Sequence, residues 1–196
     1  LKFRDNVASP PGWIKSGCET LSLAQRCPRL HRQPAVCVFR LQVNKPTIGD
    51  RCAGRAVLEA GSGEGYGASM VSAVAASVTC VDYDTAAVEH TRARYPGLTV
   101  LQGNLVDLPL SDASVDVVVN FQVIEHLWDQ AAFIAECRRV LRPGGQLLIS
   151  TPNRITFSPG RDTPLNPFHT RELSAAELGE LLVDGGLPAL GLFAGM

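Results

Sequence analysis

Short apolar runs alternate with segments of helical periodicity from Arg55 onward. Runs of roughly four to six apolar or β-branched residues predict buried strands. These runs are Ala56–Ala60, Val78–Val81, Leu98–Leu101, Val115–Asn120 and Gln146–Ser150, and Leu190–Phe193 predicts the start of a sixth strand. Because strands and helices alternate, the pattern predicts an α/β fold with a Rossmann-like, doubly wound, mainly parallel sheet.

Helix signals fall between the predicted strands. Ala68–Ala76 can form a helix after the first strand, and Asp84 is placed to cap a helix that continues to Arg94. Asp129–Leu141 predicts a longer helix, and Ser174-Ala-Ala-Glu177 matches a capping box before another. The apolar stripe of the longer helix consists of Phe133, Ile134, Cys137, Val140 and Leu141.

Residues 1–53 lack this regularity. Pro10–Pro11, Pro28, Pro34 and Pro46 interrupt any helix there, and only Ala35–Val43 is typical of a strand. We therefore expect residues 1–53 to form an irregular or disordered N-terminal extension. Residues 54–196 are expected to form the ligand-binding domain.

Composition narrows the classes of partner. The net charge of −1 provides no basic surplus for nucleic acid, and no apolar run is long enough to span a bilayer. The first residues contain no apolar core of a signal peptide, so a cytoplasmic location is expected. The six cysteines form no close CxxC pair and no Cys/His cluster with zinc-ligand spacing, so no metal site is expected.

A glycine-rich turn, VLEAGSGEGYG at Val57–Gly67, follows the first strand. A strand, a glycine turn and a helix together can hold a nucleotide-like ligand. The turn has no lysine, which excludes a P-loop, and Tyr66 stands where a GxGxxG dinucleotide motif needs its third glycine. At the tip of the next strand, the Asp82 carboxylate can accept hydrogen bonds from both hydroxyls of a ribose. The alternative role for Asp82 is a helix cap, although Asp84 is available for capping.

Glu59-x-Gly61-x-Gly63-x-Gly65 resembles motif I of the class I S-adenosylmethionine-dependent methyltransferases, (D/E)xGxGxG. Residues 102–109 resemble the segment in which that family places an Asp or Asn near the adenine amino group and then a hydrophobic residue over the ring. Residues 112–120, 121–127 and 140–145 resemble its later motifs, so the resemblance covers residues 55–151. It implies S-adenosyl-L-methionine as cofactor. The residues expected to bind this cofactor are Glu59, Ala60, Gly61, Ser62, Gly63, Gly65, Asp82, Tyr83, Asn104, Leu105 and Asn120.

Two histidines are candidate catalytic bases if the methyl acceptor is a hydroxyl group. His126 follows the fourth strand, and its alternative role is to close the cofactor pocket. His169 lies in the polar segment Thr151–Arg171, which is suited to an acceptor-binding lid, and its alternative role is a hydrogen bond to backbone. The alternative role for Asn104, beside the favoured contact with the cofactor, is that of a turn residue. Trp128 is expected to pack at a helix entrance.

The segments VDYDTAAV, NFQVIEHLWDQ and TPNRITFSPGRDTPLNPFHTREL resemble actinobacterial, particularly mycobacterial, methyltransferases associated with methylglucose lipopolysaccharide synthesis. This narrower resemblance implies polysaccharide biosynthesis and a sugar hydroxyl, or another small-molecule hydroxyl, as acceptor. The family sheet has seven strands, so we expect the last strand to be missing from a C-terminally truncated domain. Two alternatives stay open: a non-catalytic or degraded S-adenosylmethionine-binding domain, and a nicotinamide-linked reductase. The oligomeric state is left open.

Overall fold

The computed structural model describes residues 48–187, which build one five-stranded sheet with the strand order β3-β2-β1-β4-β5. All neighbouring strands are parallel. The strands are β1 Ala56–Ala60, β2 Ser77–Asp82, β3 Thr99–Gln102, β4 Val115–Phe121 and β5 Leu141–Ser150. The predicted parallel, doubly wound sheet is confirmed, whereas the predicted strand at Leu190–Phe193 lies outside the described residues.

The helices are α1 Ile48–Cys52, α2 Tyr66–Val71, α3 Thr85–Arg94, α4 Gln130–Val140, α5 Arg154–Phe157 and α6 Ala175–Asp184, with a 3₁₀ turn at Ile124–His126. The predicted caps are confirmed. The Asp84 carboxylate accepts from the Ala86 N–H at 2.8 Å, and Ser174 and Glu177 form both bonds of the capping box. No helix in this part of the chain has the length and apolar character needed to cross a bilayer.

Two predicted boundaries are wrong. α2 spans Tyr66–Val71 rather than Ala68–Ala76, because it begins directly after Gly65 and gives way to turns before β2. β5 begins at Leu141 rather than Gln146. The pairing register with β4 shifts between these two residues, so the intervening residues bulge out of the ladder.

Apolar side chains cover both faces of the sheet. Successive residues of β1 point to opposite faces, so Val57 packs with Cys52 of α1, while Leu58 packs with Phe133 of α4. All four of these side chains are at most 1% exposed. With both faces covered, the edge at the carboxyl ends of the strands is left for binding. In an open parallel sheet, ligands bind there, where the strand order reverses between β1 and β4.

Candidate functional site

The glycine turn between β1 and α2 adopts backbone angles that favour glycine. Gly61, Gly63 and Gly65 have φ angles of 80°, 50° and 76°, in the left-handed region. A Cβ atom added to Gly61 would lie 2.7 Å from both γ-carbons of Val123, and one added to Gly65 would collide with the Thr91 side chain. Gly61 and Gly65 therefore have room for backbone only.

Asp82 ties the glycine turn to the end of β2. Its Oδ2 accepts from the Gly63 N–H at 2.7 Å, and its Oδ1 accepts from the Asp84 N–H at 3.0 Å. Asp84, not Asp82, caps α3. A carboxylate has about four acceptor positions, so Asp82 retains capacity for further donors. Its role as the ribose partner stays a prediction.

Glu59 lies beneath the start of α2, where the Ala68 N–H donates to its carboxylate. The Glu59 pKa is raised to about 7, mainly by burial; the bond from Ala68 lowers it and the negative charge of Asp82 raises it. Glu59 Oε2 has no hydrogen-bond partner among the described residues. The structure thus leaves a buried acidic oxygen beside the glycine turn.

Asn120 provides a second unpaired acceptor at the end of β4. Its side chain is fully buried, and Nδ2 donates to the Ala60 carbonyl at 2.8 Å, while Oδ1 is unpaired within residues 48–187. Buried acceptors are normally satisfied. The unpaired oxygens of Glu59 and Asn120 stand at the carboxyl ends of β1 and β4, and they fit a ligand that brings its own donors, such as an ammonium group. The residues present are therefore compatible with S-adenosyl-L-methionine.

The remaining predicted cofactor residues lie in the turn itself or after β2 and β3. The Ser62 N–H donates to the Val81 carbonyl at 3.3 Å, and the Tyr83 side chain is 77% exposed after β2. Asn104 forms a local turn in which Oδ1 accepts from the Val106 N–H at 3.2 Å, and Leu105 is buried in the core. The adenine roles of Asn104 and Leu105 stay predictions.

The two candidate histidines lie in contact. The rings of His126 and His169 are 4.8 Å apart at an interplanar angle of 84°. His126 is exposed, and its Nδ1 lies 2.9 Å from the Phe168 carbonyl oxygen. The His169 side chain is 4% exposed, and its Nδ1 lies 2.6 Å from Glu172 Oε1. His169 is therefore held by a carboxylate rather than by the backbone bond considered from the sequence.

Glu125 joins the 3₁₀ turn to the segment after β5. Its carboxylate is buried and accepts from the Thr151 hydroxyl at 2.9 Å, and burial raises its pKa. The Glu125 carbonyl accepts from the Thr170 N–H at 2.8 Å and from the Thr170 hydroxyl at 3.0 Å. These bonds hold the end of the Thr151–Arg171 segment against the turn that carries His126.

Sequence reasoning missed Glu172. Its side chain is 1% exposed, and its Oε2 has no partner among the described residues. The available signal was its spacing of three residues from His169. Glu172 also lines a polar cavity of about 260 Å³, together with Arg154, Ser158, Arg161, Asp162, Thr163, Pro164, Thr170, Arg171 and Glu177. This cavity lies along the predicted acceptor segment.

The predicted packing role of Trp128 is wrong. Its indole is 92% exposed, and the residue precedes Asp129, whose carboxylate caps α4 by accepting from the Ala132 N–H at 2.8 Å. Polar capping, and not an apolar contact of Trp128 with the core, fixes the helix entrance.

Residues 58–149 match the family model described as "Methyltransferase domain". A protein of Mycolicibacterium smegmatis named "Probable S-adenosylmethionine-dependent methyltransferase" is 66% identical over 159 residues, which cover 80% of this chain and 62% of that protein. The phthiotriol/phenolphthiotriol dimycocerosates methyltransferase of Mycobacterium tuberculosis (strain H37Rv) is 35% identical over 160 residues, with coverages of 72% and 59%. The chain thus spans about 60% of the length of these two relatives.

The fold is also found in a solved structure. A SAM-dependent methyltransferase from Aquifex aeolicus superposes with a TM-score of 0.59 at 23% identity, over 70% of this chain and 74% of that one. This likeness concerns the fold alone.

Proposed function

We propose, from the premise that residues 58–149 form a class I S-adenosylmethionine-dependent methyltransferase domain, that the chain methylates a hydroxyl group of a sugar acceptor. The inference of a hydroxyl acceptor rests on the contact of His126 with the His169–Glu172 pair. A hydroxyl nucleophile must lose its proton, and histidine is the usual group at which such a proton is taken up.

S-adenosyl-L-methionine supplies an electrophilic methyl group with a neutral thioether as leaving group. The chain has no departing anion to stabilise, so its residues mainly position the reactants. The cofactor would be held by the turn Glu59–Gly65 and by Asp82. It would also donate hydrogen bonds to Glu59 Oε2 and Asn120 Oδ1, which have no partner among the described residues. These assignments rest on geometry and on the family motif.

Proton removal is assigned to the cluster of His126 and His169. The Glu172 carboxylate beside His169 Nδ1 keeps the proton on that nitrogen and the lone pair on Nε2. The same carboxylate would stabilise the positive charge that an imidazole gains when it takes up a proton. His126 is the exposed member of the cluster, so it is the one that an acceptor can reach.

The cavity of about 260 Å³ that is lined in part by Glu172 suits a polar acceptor. Its lining combines hydroxyl groups of Ser158 and Thr163 with charged groups such as Arg154 and Arg161, which can hydrogen-bond to sugar hydroxyls. We therefore propose a saccharide acceptor and a role in polysaccharide biosynthesis, in line with the resemblance to methyltransferases of methylglucose lipopolysaccharide synthesis. A lipid hydroxyl is the second candidate, because one relative is named for methylation of dimycocerosates.

The test is release of S-adenosylhomocysteine in the presence of gluco-oligosaccharides or of a long-chain lipid diol. We expect release with the saccharide, and we expect His126→Ala and His169→Ala to abolish it without loss of cofactor affinity. His90→Ala, an exposed histidine on α3, is the matched control and should retain turnover. If S-adenosylhomocysteine is released only with the lipid diol, the acceptor is a lipid hydroxyl and the sugar assignment is wrong. Cofactor binding without release for any acceptor would favour a non-catalytic binding domain.

A further inference from the structure

Glu125, His126 and His169 each offer a ligand atom, and these atoms lie within 4.8 Å of one another. Metal–nitrogen and metal–oxygen bonds of about 2.0–2.2 Å place two ligands of a tetrahedral ion about 3.4 Å apart. The cluster therefore has to contract by about 1.4 Å at most to surround an ion. His126 is the exposed member of the cluster, so its ring is the one that can supply this movement.

The contacts behind the cluster match those of metal-binding histidines. Such a histidine nearly always donates its second ring N–H to a carbonyl or carboxylate. Here His126 Nδ1 lies 2.9 Å from the Phe168 carbonyl, and His169 Nδ1 lies 2.6 Å from Glu172 Oε1. In each ring the Nδ1 proton is thereby fixed, and the lone pair is left on Nε2. The contact of His169 Nε2 with Asn166 Nδ2 at 3.0 Å agrees with a lone pair at that nitrogen, and the Asn166 amide has to give up this contact when an ion binds.

The third ligand is held in a similar way. The Glu125 carboxylate is buried, and Thr151 donates to Oε2 at 2.9 Å. Thr170, adjacent to His169, binds the backbone carbonyl of Glu125 through both its N–H and its hydroxyl. The two chain segments that supply the ligands are therefore fastened to each other before any ion arrives. Such preorganisation lowers the cost of assembling a site.

We propose that Glu125, His126 and His169 bind a first-row divalent cation, with Zn²⁺ or Mn²⁺ favoured over Mg²⁺. Two imidazoles and one carboxylate suit transition metals, whereas Mg²⁺ prefers an all-oxygen set. Three protein ligands leave a position open, as in catalytic zinc sites. Binding of the ion does not rest on the proposed function, in which the same two imidazoles act as bases in the metal-free chain.

The test is titration of the chelator-treated full chain with Co²⁺, followed by competition with Zn²⁺ and Mg²⁺. We expect one ion per chain at this site, a visible Co²⁺ spectrum without a thiolate charge-transfer band, displacement by Zn²⁺ and little displacement by Mg²⁺. Spectra distinguish the site from cysteine ligands, because thiolates give a strong near-ultraviolet band. His126→Ala should weaken binding at least about 100-fold, and Glu172→Gln, which alters only the support of His169, by about 10-fold. His90→Ala should bind as the wild type does.

Binding that His126→Ala and His169→Ala leave unchanged, or a spectrum dominated by thiolate, would overturn the metal proposal. S-adenosylhomocysteine titration of the same samples shows whether each variant is folded. Methyl transfer by a chain that fails to bind Co²⁺ at this site would remove the metal proposal and keep the proposed function. Metal binding without methyl transfer to any acceptor would keep the metal proposal and remove the proposed function.

Discussion

Replacing Glu59 with Gln tests whether the buried carboxyl beside the glycine turn has a raised pKa. Glu59 has a pKa of about 7 against an ordinary 4.5, mainly because burial disfavours its charged form. The native state therefore binds more protons than the unfolded chain between these two values. Its free energy of unfolding consequently falls as the pH rises through this interval. The stability that the protonated carboxyl provides is present at low pH and lost as the pH passes about 7.

The magnitude follows from the two pKa values. The linkage relation gives a loss of about 2 kcal/mol of unfolding free energy between about pH 5.5 and about pH 8.5. Glu59→Gln, which stays neutral, should lack this loss. Urea denaturation at a series of pH values measures it. Glu64→Gln, at an exposed position of the same turn, is the control and should keep the wild-type profile.

Cofactor binding supplies a second readout for Glu59. An ammonium group beside the carboxylate would favour its charged form, so binding should release a proton below about pH 7 and tighten as the pH rises. Calorimetry in buffers of different ionisation enthalpy detects that proton. The assignment of Glu59 to the ammonium group of the cofactor is wrong if two results are found together. The first is that the free energy of unfolding depends on pH in the same way for wild type and Glu59→Gln. The second is that neither protein releases a proton when the cofactor binds.

Three further substitutions address the glycine turn and its surroundings. Gly61→Ala should cost about 1–3 kcal/mol of stability and weaken S-adenosylhomocysteine binding, because Gly61 has a positive φ and the added Cβ would collide with Val123. Gly97→Ala is the control. It should change neither quantity, because no atom lies within 4 Å of the added Cβ. Thr91→Val removes a partly buried hydrogen bond of 3.0 Å from the Thr91 hydroxyl to the Gly63 carbonyl and should cost about 1 kcal/mol in denaturant titrations. Ser174→Ala removes the α6 cap and should cost about 1 kcal/mol while leaving cofactor affinity unchanged. Equal stability of the two glycine variants, or equal cofactor affinity of Ser174→Ala and Gly61→Ala, would contradict these assignments.

Features encoded by neighbouring residues were predictable from the sequence. The caps at Asp84 and Ser174 depend on side chains within three residues of the helix start, and both were confirmed. The strands follow from apolar runs, because a sheet covered on both faces needs apolar residues at most positions. The positive φ angles of the glycine turn follow from glycine itself.

Contacts between distant segments were not predictable in this way. The meeting of His126 with His169, and the support from Glu172, depend on how the segment after β5 folds back onto the turn after β4. Local periodicity carries no information on that path. The expectation of no metal site considered ligands close in sequence, whereas this cluster combines two separate segments. Thr91 was missed for a related reason, since its role depends on how α3 packs over the glycine turn.

Calorimetric titration of the chain with S-adenosylhomocysteine and with NADH tests the central claim that the carboxyl edge of the sheet holds the methyltransferase cofactor. We predict micromolar binding of S-adenosylhomocysteine and no binding of NADH. Asp82→Ala should lose this binding, because Asp82 anchors Gly63 and is the predicted ribose partner. Asp84→Ala, which affects the α3 cap, should retain it. Binding of NADH without S-adenosylhomocysteine, or unchanged affinity in Asp82→Ala, would contradict the assignment of the site.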